Sequence, residues 1–220
     1  MNKIRSARMA VLASIGCLAL AMLVGASAAA AKTRTKTFSR CVNVAVAIPD
    51  GPVGSTDPNP DASLAMPVTV PRFKGRRQNG VVTAINSVAI RISHSDDGDL
   101  ALFLVSPGGR AIALATYRDD SSPPDAPSGN GYGTGAANCS GSLVQFGDGF
   151  SKPITMPGNT GNNAPIVGSF RPEQALSTFV GGPARGYWTL IVQDVAGGDI
   201  GQIDALSLNL TYRYKARRRR

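Results

Sequence analysis

The chemistry-bearing residue types gather in one stretch, ISHSDDGDL, Ile92 to Leu100, where the only histidine, His94, stands beside Asp96, Asp97 and Asp99. Two kinds of chemistry suit it. A histidine oriented by a carboxylate can act as the base for a serine nucleophile. Several carboxylates converging among loop carbonyls can hold calcium. The first fails on sequence grounds. His94 is the sole candidate base, it falls where an apolar-periodic strand ends, and no G-x-S-x-G elbow occurs. It is therefore expected to be a structural histidine hydrogen-bonded at a strand end, and no catalytic residue is assigned. A single histidine also excludes a His-based zinc site, and two separated cysteines do not supply a thiolate one.

The metal reading uses Asp99, Asp148 and Asp194. Gly98 turns the chain, Asp99 follows it, and Leu100 opens an apolar strand; Asp194 ends the strand Trp188–Val192, and Asp199 lies in the turn AGGDIG. If those strands are antiparallel neighbours, Asp99 and Asp194 share a rim that Asp148, in QFGDGF, can approach. Turn-capping aspartates are the alternative. Asp96 and Asp97 are expected to be solvated. Calcium is the only cofactor these residues suggest.

These residues must be positioned by strands. Val88, Ile90 and Ile92 alternate with Ala89, Arg91 and Ser93, and Leu206, Leu208, Leu210 and Tyr212 alternate with Ser207, Asn209, Thr211 and Arg213. Such period-two runs describe strands with one dry and one wet face. Trp188, Leu190 and Val192 form a third, with the lone tryptophan in the core. Further strands are expected at Cys41–Ile48, Val68–Val70, Leu100–Ser106, Ala111–Thr116, Leu143–Phe146 and Ile166–Phe170, and a single helical turn within Arg171–Phe179. The fold class is all-β, a sandwich or jelly roll. Asp119–Asn138, rich in Gly, Pro and Ser, reads as a long surface loop.

The N-terminus carries Lys3, Arg5 and Arg8, an apolar run from Met9 to Gly25, and alanines through Ala31. Residues 1–31 are expected to be a secretory signal peptide, with an uncleaved anchor as the rival because the run is close to the ~18-residue minimum for a span. The protein is then secreted, residues 32–40 are a basic linker, and residues 214–220 a basic tail. Cys17 leaves with the signal, so Cys41 and Cys139 are expected to form a disulfide in an oxidising compartment. The chain has 23 Lys+Arg against 14 Asp+Glu, but six of the cations occupy the last eight positions and three the signal. The remainder balances, which argues against a nucleic-acid partner.

In order, AIPD (Ala47–Asp50), ISHSDDGDL, LVSPGG (Leu104–Gly109), SFRPEQALSTFVG (Ser169–Gly181) and GYWTLIVQDVAGGDIGQIDALSLNL (Gly186–Leu210) resemble the P domain, or P/Homo B domain, of kexin- and furin-like subtilisin-family proteases. The resemblance spans residues 41–213. It implies a galactose-binding-like jelly-roll sandwich that is not itself catalytic and that stabilises a neighbouring serine protease. That protease domain is missing from this chain, and the insert Asn130–Ser142 is outside the common motif. The function expected is a secreted, non-catalytic interaction or stabilising module whose partner is a serine protease or another envelope protein. The alternative is a module that binds envelope polymers or glycans, with the C-terminal tail in electrostatic contact with anionic polymers.

Overall fold

The computed structural model describes residues 33–51, 63–70, 80–116, 131–155 and 165–215. Nine strands appear: β1 (Thr33–Ile48), β2 (Ser63–Val70), β3 (Val81–His94), β4 (Leu100–Val105), β5 (Ala111–Ala115), β6 (Val144–Phe146), β7 (Ser169–Phe170), β8 (Gly186–Asp194) and β9 (Gly201–Lys215). They form a five-stranded sheet, β1-β9-β3-β6-β7, and a four-stranded sheet, β2-β8-β4-β5. Successive strands alternate between the sheets in jelly-roll order, except that β4 and β5 are neighbours in one sheet and β7 is added beside β6 in the other. That pair is parallel; all other pairs are antiparallel.

The period-two residues do what their alternation requires. Val88, Ile90 and Ile92 lie opposite Leu208, Leu206 and Ile203. All six are buried, facing Leu102, Leu104, Trp188, Leu190 and Val192 of the other sheet in one apolar cluster. Trp188 meets Phe179 edge-on at 5.1 Å and donates its indole N–H to the Ala184 carbonyl. Buried aromatics with a satisfied polar handle fix a core geometry. A 3-10 turn occupies Leu176–Phe179. Ahead of it, Glu173 and Gln174 accept from the backbone N–H groups of Thr116 and Ala113 and donate their own to Leu114 and Ala113, which caps the outer edge of β5.

Three expectations are corrected. Residues 33–40 are no linker: they are the first half of β1, paired with β9 from Thr33↔Lys215 to Arg40↔Leu208. TRTKTFSR carries strand-favouring threonines, but most of its side chains are exposed, so the usual apolar signature is absent. The tail likewise does not begin at Tyr214, because β9 runs through Lys215; residues 216–220 lie outside the described residues, as does the expected signal peptide. The loop reading of residues 119–138 fails over its last part. Tyr132 is fully buried and bridges Ile92 and Ile166. Its flanking glycines serve close packing: a Cβ on Gly131 would stand 2.2 Å from the Ile92 carbonyl oxygen, and one on Gly133 2.3 Å from that of Ser142.

From Tyr132 the chain forms a hairpin-like strap, closed by the Thr134↔Ser142 bridge. Cys139 at its tip is disulfide-bonded to Cys41, with 6.0 Å between the Cα atoms. Its root lies against β3 and its tip is fixed to β1, so the strap crosses the outer face of β9 between them. The expected disulfide thus joins the sheet's edge strand to a cover over the sheet.

Candidate functional site

One end of the sandwich collects His94 and most of the carboxylates among the described residues. β3 ends at His94, β4 begins after Asp99, and β8 ends at Asp194, with Leu100 directly opposite Asp194. Asp99 and Asp194 therefore share a rim, as the strand order requires. Asp194 is fully buried, and its two oxygens are in use: Oδ2 lies 3.2 Å from His94 Nε2, and Oδ1 accepts the Ala196 N–H at 3.2 Å. His94 Nδ1 faces the Asp96 carbonyl. Protonated, the ring donates from both nitrogens.

Burial works to lower the His94 pKa, but the Asp194 hydrogen bond and charge, the Asp96 carbonyl and the Asp99 charge together outweigh it, and the net shift is upward. No ring nitrogen is left to face a serine. Nearby Ser95 Oγ instead accepts from the Ile200 N–H at 2.9 Å and lies 3.4 Å from the Ile200 carbonyl.

The three aspartates expected to converge do not. β6 runs antiparallel to β3 with Val144 opposite Ile90 and Phe146 opposite Val88, away from His94. Asp148, beyond Phe146, is carried toward the other end, where its carboxylate accepts the N–H groups of Leu176 at 2.7 Å and Ser177 at 2.8 Å. It caps the 3-10 turn. The carboxylates that do meet are Asp96, Asp99 and Asp199, each offering an oxygen within 4.8 Å of the others. Asp97, expected in solvent, is only 2 % exposed. Asp96 is half-buried and accepts the Gly98 N–H at 2.8 Å, closing the turn that brings Asp99 to the rim. Desolvation, then the charges of Asp96, Asp194 and Asp199, raise Asp99 from 3.8 to about 7.

A second polar group escaped the sequence reading. Asp204 is fully buried although it belongs to an alternating strand. A register shift between Arg91 and Ile92 opposite Ala205 and Ile203 leaves Asp204 as the extra residue of a bulge. Ser93 Oγ donates to its Oδ2 at 2.6 Å, Gln202 Nε2 to its Oδ1 at 2.6 Å, and Arg91 pairs with it at 3.5 Å. Arg91 also donates to the Ile92 carbonyl, and Gly133 of the strap lies against its stem. The available signal was an aspartate in phase with the dry-face residues Leu206, Leu208 and Leu210, beside a strand that carries an arginine.

Beside this network a cleft of about 760 Å3 is lined by Ala47, Ile48, Arg91, Ser93, His94 and Ile200, among others. Ile200 is 71 % exposed.

No family model and no curated protein matches the chain. Among solved structures with a similar arrangement are the serine protease of Aeromonas sobria, at 16% identity and a TM-score of 0.43, and the complex of that protease with a chaperone, at 18% and 0.42. Each match covers 81% of this chain and 27% of the other. This chain therefore spans about a quarter of the length of the chains it matches, and its function has to be argued from its own side chains.

Proposed function

We propose that the protein is a secreted, non-catalytic β-sandwich that engages and steadies an extracytoplasmic partner, with a serine protease as the partner class that the P-domain resemblance implies. The observation that carries this reading is the cleft beside Ile200. A large aliphatic side chain stands exposed next to charged groups, at a rim held rigid by His94 and Asp194. An apolar anchor inside a polar ring is the arrangement in which a few contacts supply most of a binding energy. The commitment of both His94 nitrogens supports a role in binding rather than hydrolysis. The Cys41–Cys139 bridge supports an oxidising compartment.

With the protein as bait in its native culture medium, a secreted serine protease identified by mass spectrometry is the expected capture, and Ile200→Asp is expected to abolish it. Capture that survives this change, or casein cleavage by the bait itself, contradicts the proposal.

Calcium is the metal we assign to the rim, at Asp96, Asp99 and Asp199. Calcium–oxygen distances of about 2.3–2.6 Å allow ligand oxygens up to roughly 5 Å apart, and this trio satisfies that limit. A divalent cation there would offset the carboxylate repulsion that adds to desolvation in raising Asp99. The melting temperature should rise with calcium and fall with chelator, by about 2.7 kcal/mol of stability at a hundredfold excess over Kd. Asp99→Asn should remove the response. Indifference to both additives would leave the aspartates as turn formers.

A further inference from the structure

β1 is an edge strand: β9 pairs with one side of it, and no described strand pairs with the other. Half of the backbone N–H and C=O groups of such a strand point away from its sheet and stay open to a further strand. The two halves of β1 treat this edge differently. Towards its C-terminal end a register shift between Asn43 and Val46, with Ala45 at a φ of 53°, breaks the regular spacing. A bulge of this kind turns an edge away from new pairing. From Thr33 to Arg40 the pairing with β9 is unbroken, so eight consecutive residues present a regular edge. Its length is roughly 27 Å, at ~3.4 Å per residue.

Charge marks one side of that edge. Arg34, Lys36, Phe38 and Arg40 lie opposite Tyr214, Tyr212, Leu210 and Leu208, and the last three of these β9 residues are buried. The row therefore points to the core side of the sheet. Its three cations are nevertheless exposed, and Phe38 is only partly buried, so at this edge the five-stranded sheet reaches past the cover that the four-stranded sheet provides. The alternate row, Thr33, Thr35, Thr37 and Ser39, carries no charge. Neither residues 33–40 nor residues 208–215 opposite them include an aspartate or glutamate. Arg34, Lys36 and Arg40 make no ion pair among the described residues.

We infer that the free edge of residues 33–40 is a docking site for an acidic peptide segment of a partner, which adds to the sheet as an extended strand. Side chains on one face of a strand recur at every second residue, so carboxylates at the same spacing in an added strand meet Arg34, Lys36 and Arg40. Phe38 sets an apolar position between them. For an antiparallel addition, the arrangement β1 already has with β9, the complement read from its N-terminus is acid-x-apolar-x-acid-x-acid. Main-chain hydrogen bonds supply the attachment, and the alternate side chains supply the selectivity. A second copy of this chain is a poor occupant, because antiparallel pairing of two such edges brings cation against cation, and like charges across a pair oppose it. The cations that keep copies apart leave the edge open to a strand of opposite charge. A nucleic acid or polyphosphate has the charge but no peptide groups with which to continue the sheet. The inference does not rest on the protease-partner reading: the cleft beside Ile200 lies at the other end of β1, where Ile48 pairs with Gly201.

The test uses the purified protein and a fluorescently labelled threonine peptide carrying glutamate at its first, fifth and seventh positions and valine at its third. Its controls are a permutation of the same composition with glutamates on both faces, the same peptide with lysine for glutamate, and single-stranded poly(dT). Saturable, salt-sensitive binding of the first peptide is expected, severalfold weaker binding of the permutation, and none of the lysine peptide. In hydrogen exchange the bound peptide should protect amides within residues 33–40. Arg34→Gln with Lys36→Gln should weaken binding by up to about fivefold for each cation removed, at an unchanged melting temperature because both side chains are exposed. Arg34→Glu with Lys36→Glu should transfer the preference to the lysine peptide. Equal binding of the permutation or of poly(dT), protection confined to other strands, indifference to the charge reversal, or no binding at all would each overturn the assignment.

Discussion

Replacing Cys41 and Cys139 together by alanine is expected to lower the stability of the domain by about 4 to 5 kcal/mol, the chain-entropy value for a closed loop near 100 residues. The bridge spans a sequence separation of 98. For a domain of this size each kcal/mol moves the midpoint by roughly 2–4 °C, so a fall on the order of 10–15 °C is expected in thermal unfolding. A second effect should accompany it. Without the bridge, the strap at β1 is held by the Cys139 N–H on Asn43 Oδ1 and by local turns, and amides of β9 beneath it should exchange faster with deuterium. If the melting temperature of the double variant stays within about 2 °C of the parent, the strap is seated by its own contacts.

Asp194→Ala is expected to be comparably damaging, at about 3–5 kcal/mol, because it removes one partner of a buried ion pair. It strips the buried His94 Nε2 and the part-buried Ala196 N–H of their acceptor. The variant should also change the pH response. A raised folded-state pKa for His94 means that its contribution is complete below the unfolded value of about 6.5 and is lost as pH climbs through the folded value. Asp99, raised from 3.8 to about 7, acts in the same direction: the native state holds this proton more tightly, so stability declines between about pH 4 and pH 7. With chelator present, so that no calcium competes for the Asp99 carboxylate, thermal unfolding of the parent should therefore show a higher midpoint at pH 5 than at pH 8. In Asp194→Ala the His94 part of that slope should vanish. A parent protein that becomes more stable from pH 5 to pH 8 would contradict both assignments.

The legible parts of this fold are those in which burial and periodicity agree. Leu206, Leu208, Leu210 and Tyr212 name their own faces, and β3, β4 and β8 follow the same rule. β1 was half legible: Val42, Val44 and Ile48 mark its end, but Thr33 to Arg40 pair at a sheet edge where few side chains need be apolar. Tyr132 was hidden because glycine has two uses. It marks loose turns, and it also admits close backbone approach, and composition does not tell these apart.

At the rim, the adjacency of Asp99 and Asp194 followed from pairing two strands correctly. The place of Asp148 depended on the direction of β6, a three-residue strand whose register no local pattern reveals. Asp199 was noted as a turn residue, yet its approach to Asp96 and Asp99 depends on how two loops fold over one edge. The Arg91–Asp204 pair required a bulge, which breaks the alternation from which buried positions are otherwise read.

The pairing of β1 with β9 also determines how the domain would respond to force. Thr33 and Lys215 are neighbours, so a load applied at these two positions opens the ribbon like a zipper, breaking its hydrogen bonds a few at a time rather than all together in shear. Such peeling is mechanically weak, and it would proceed along eight residue pairs from Thr33↔Lys215 to Arg40↔Leu208. It would then reach Cys41, whose covalent bond to Cys139 passes the tension into the strap and from there to Tyr132 in the core. The domain is thus built with a compliant first stage and a covalent stop, and a partner tugging on either end would stretch the basic ribbon without unseating the rim at the far end of the sandwich.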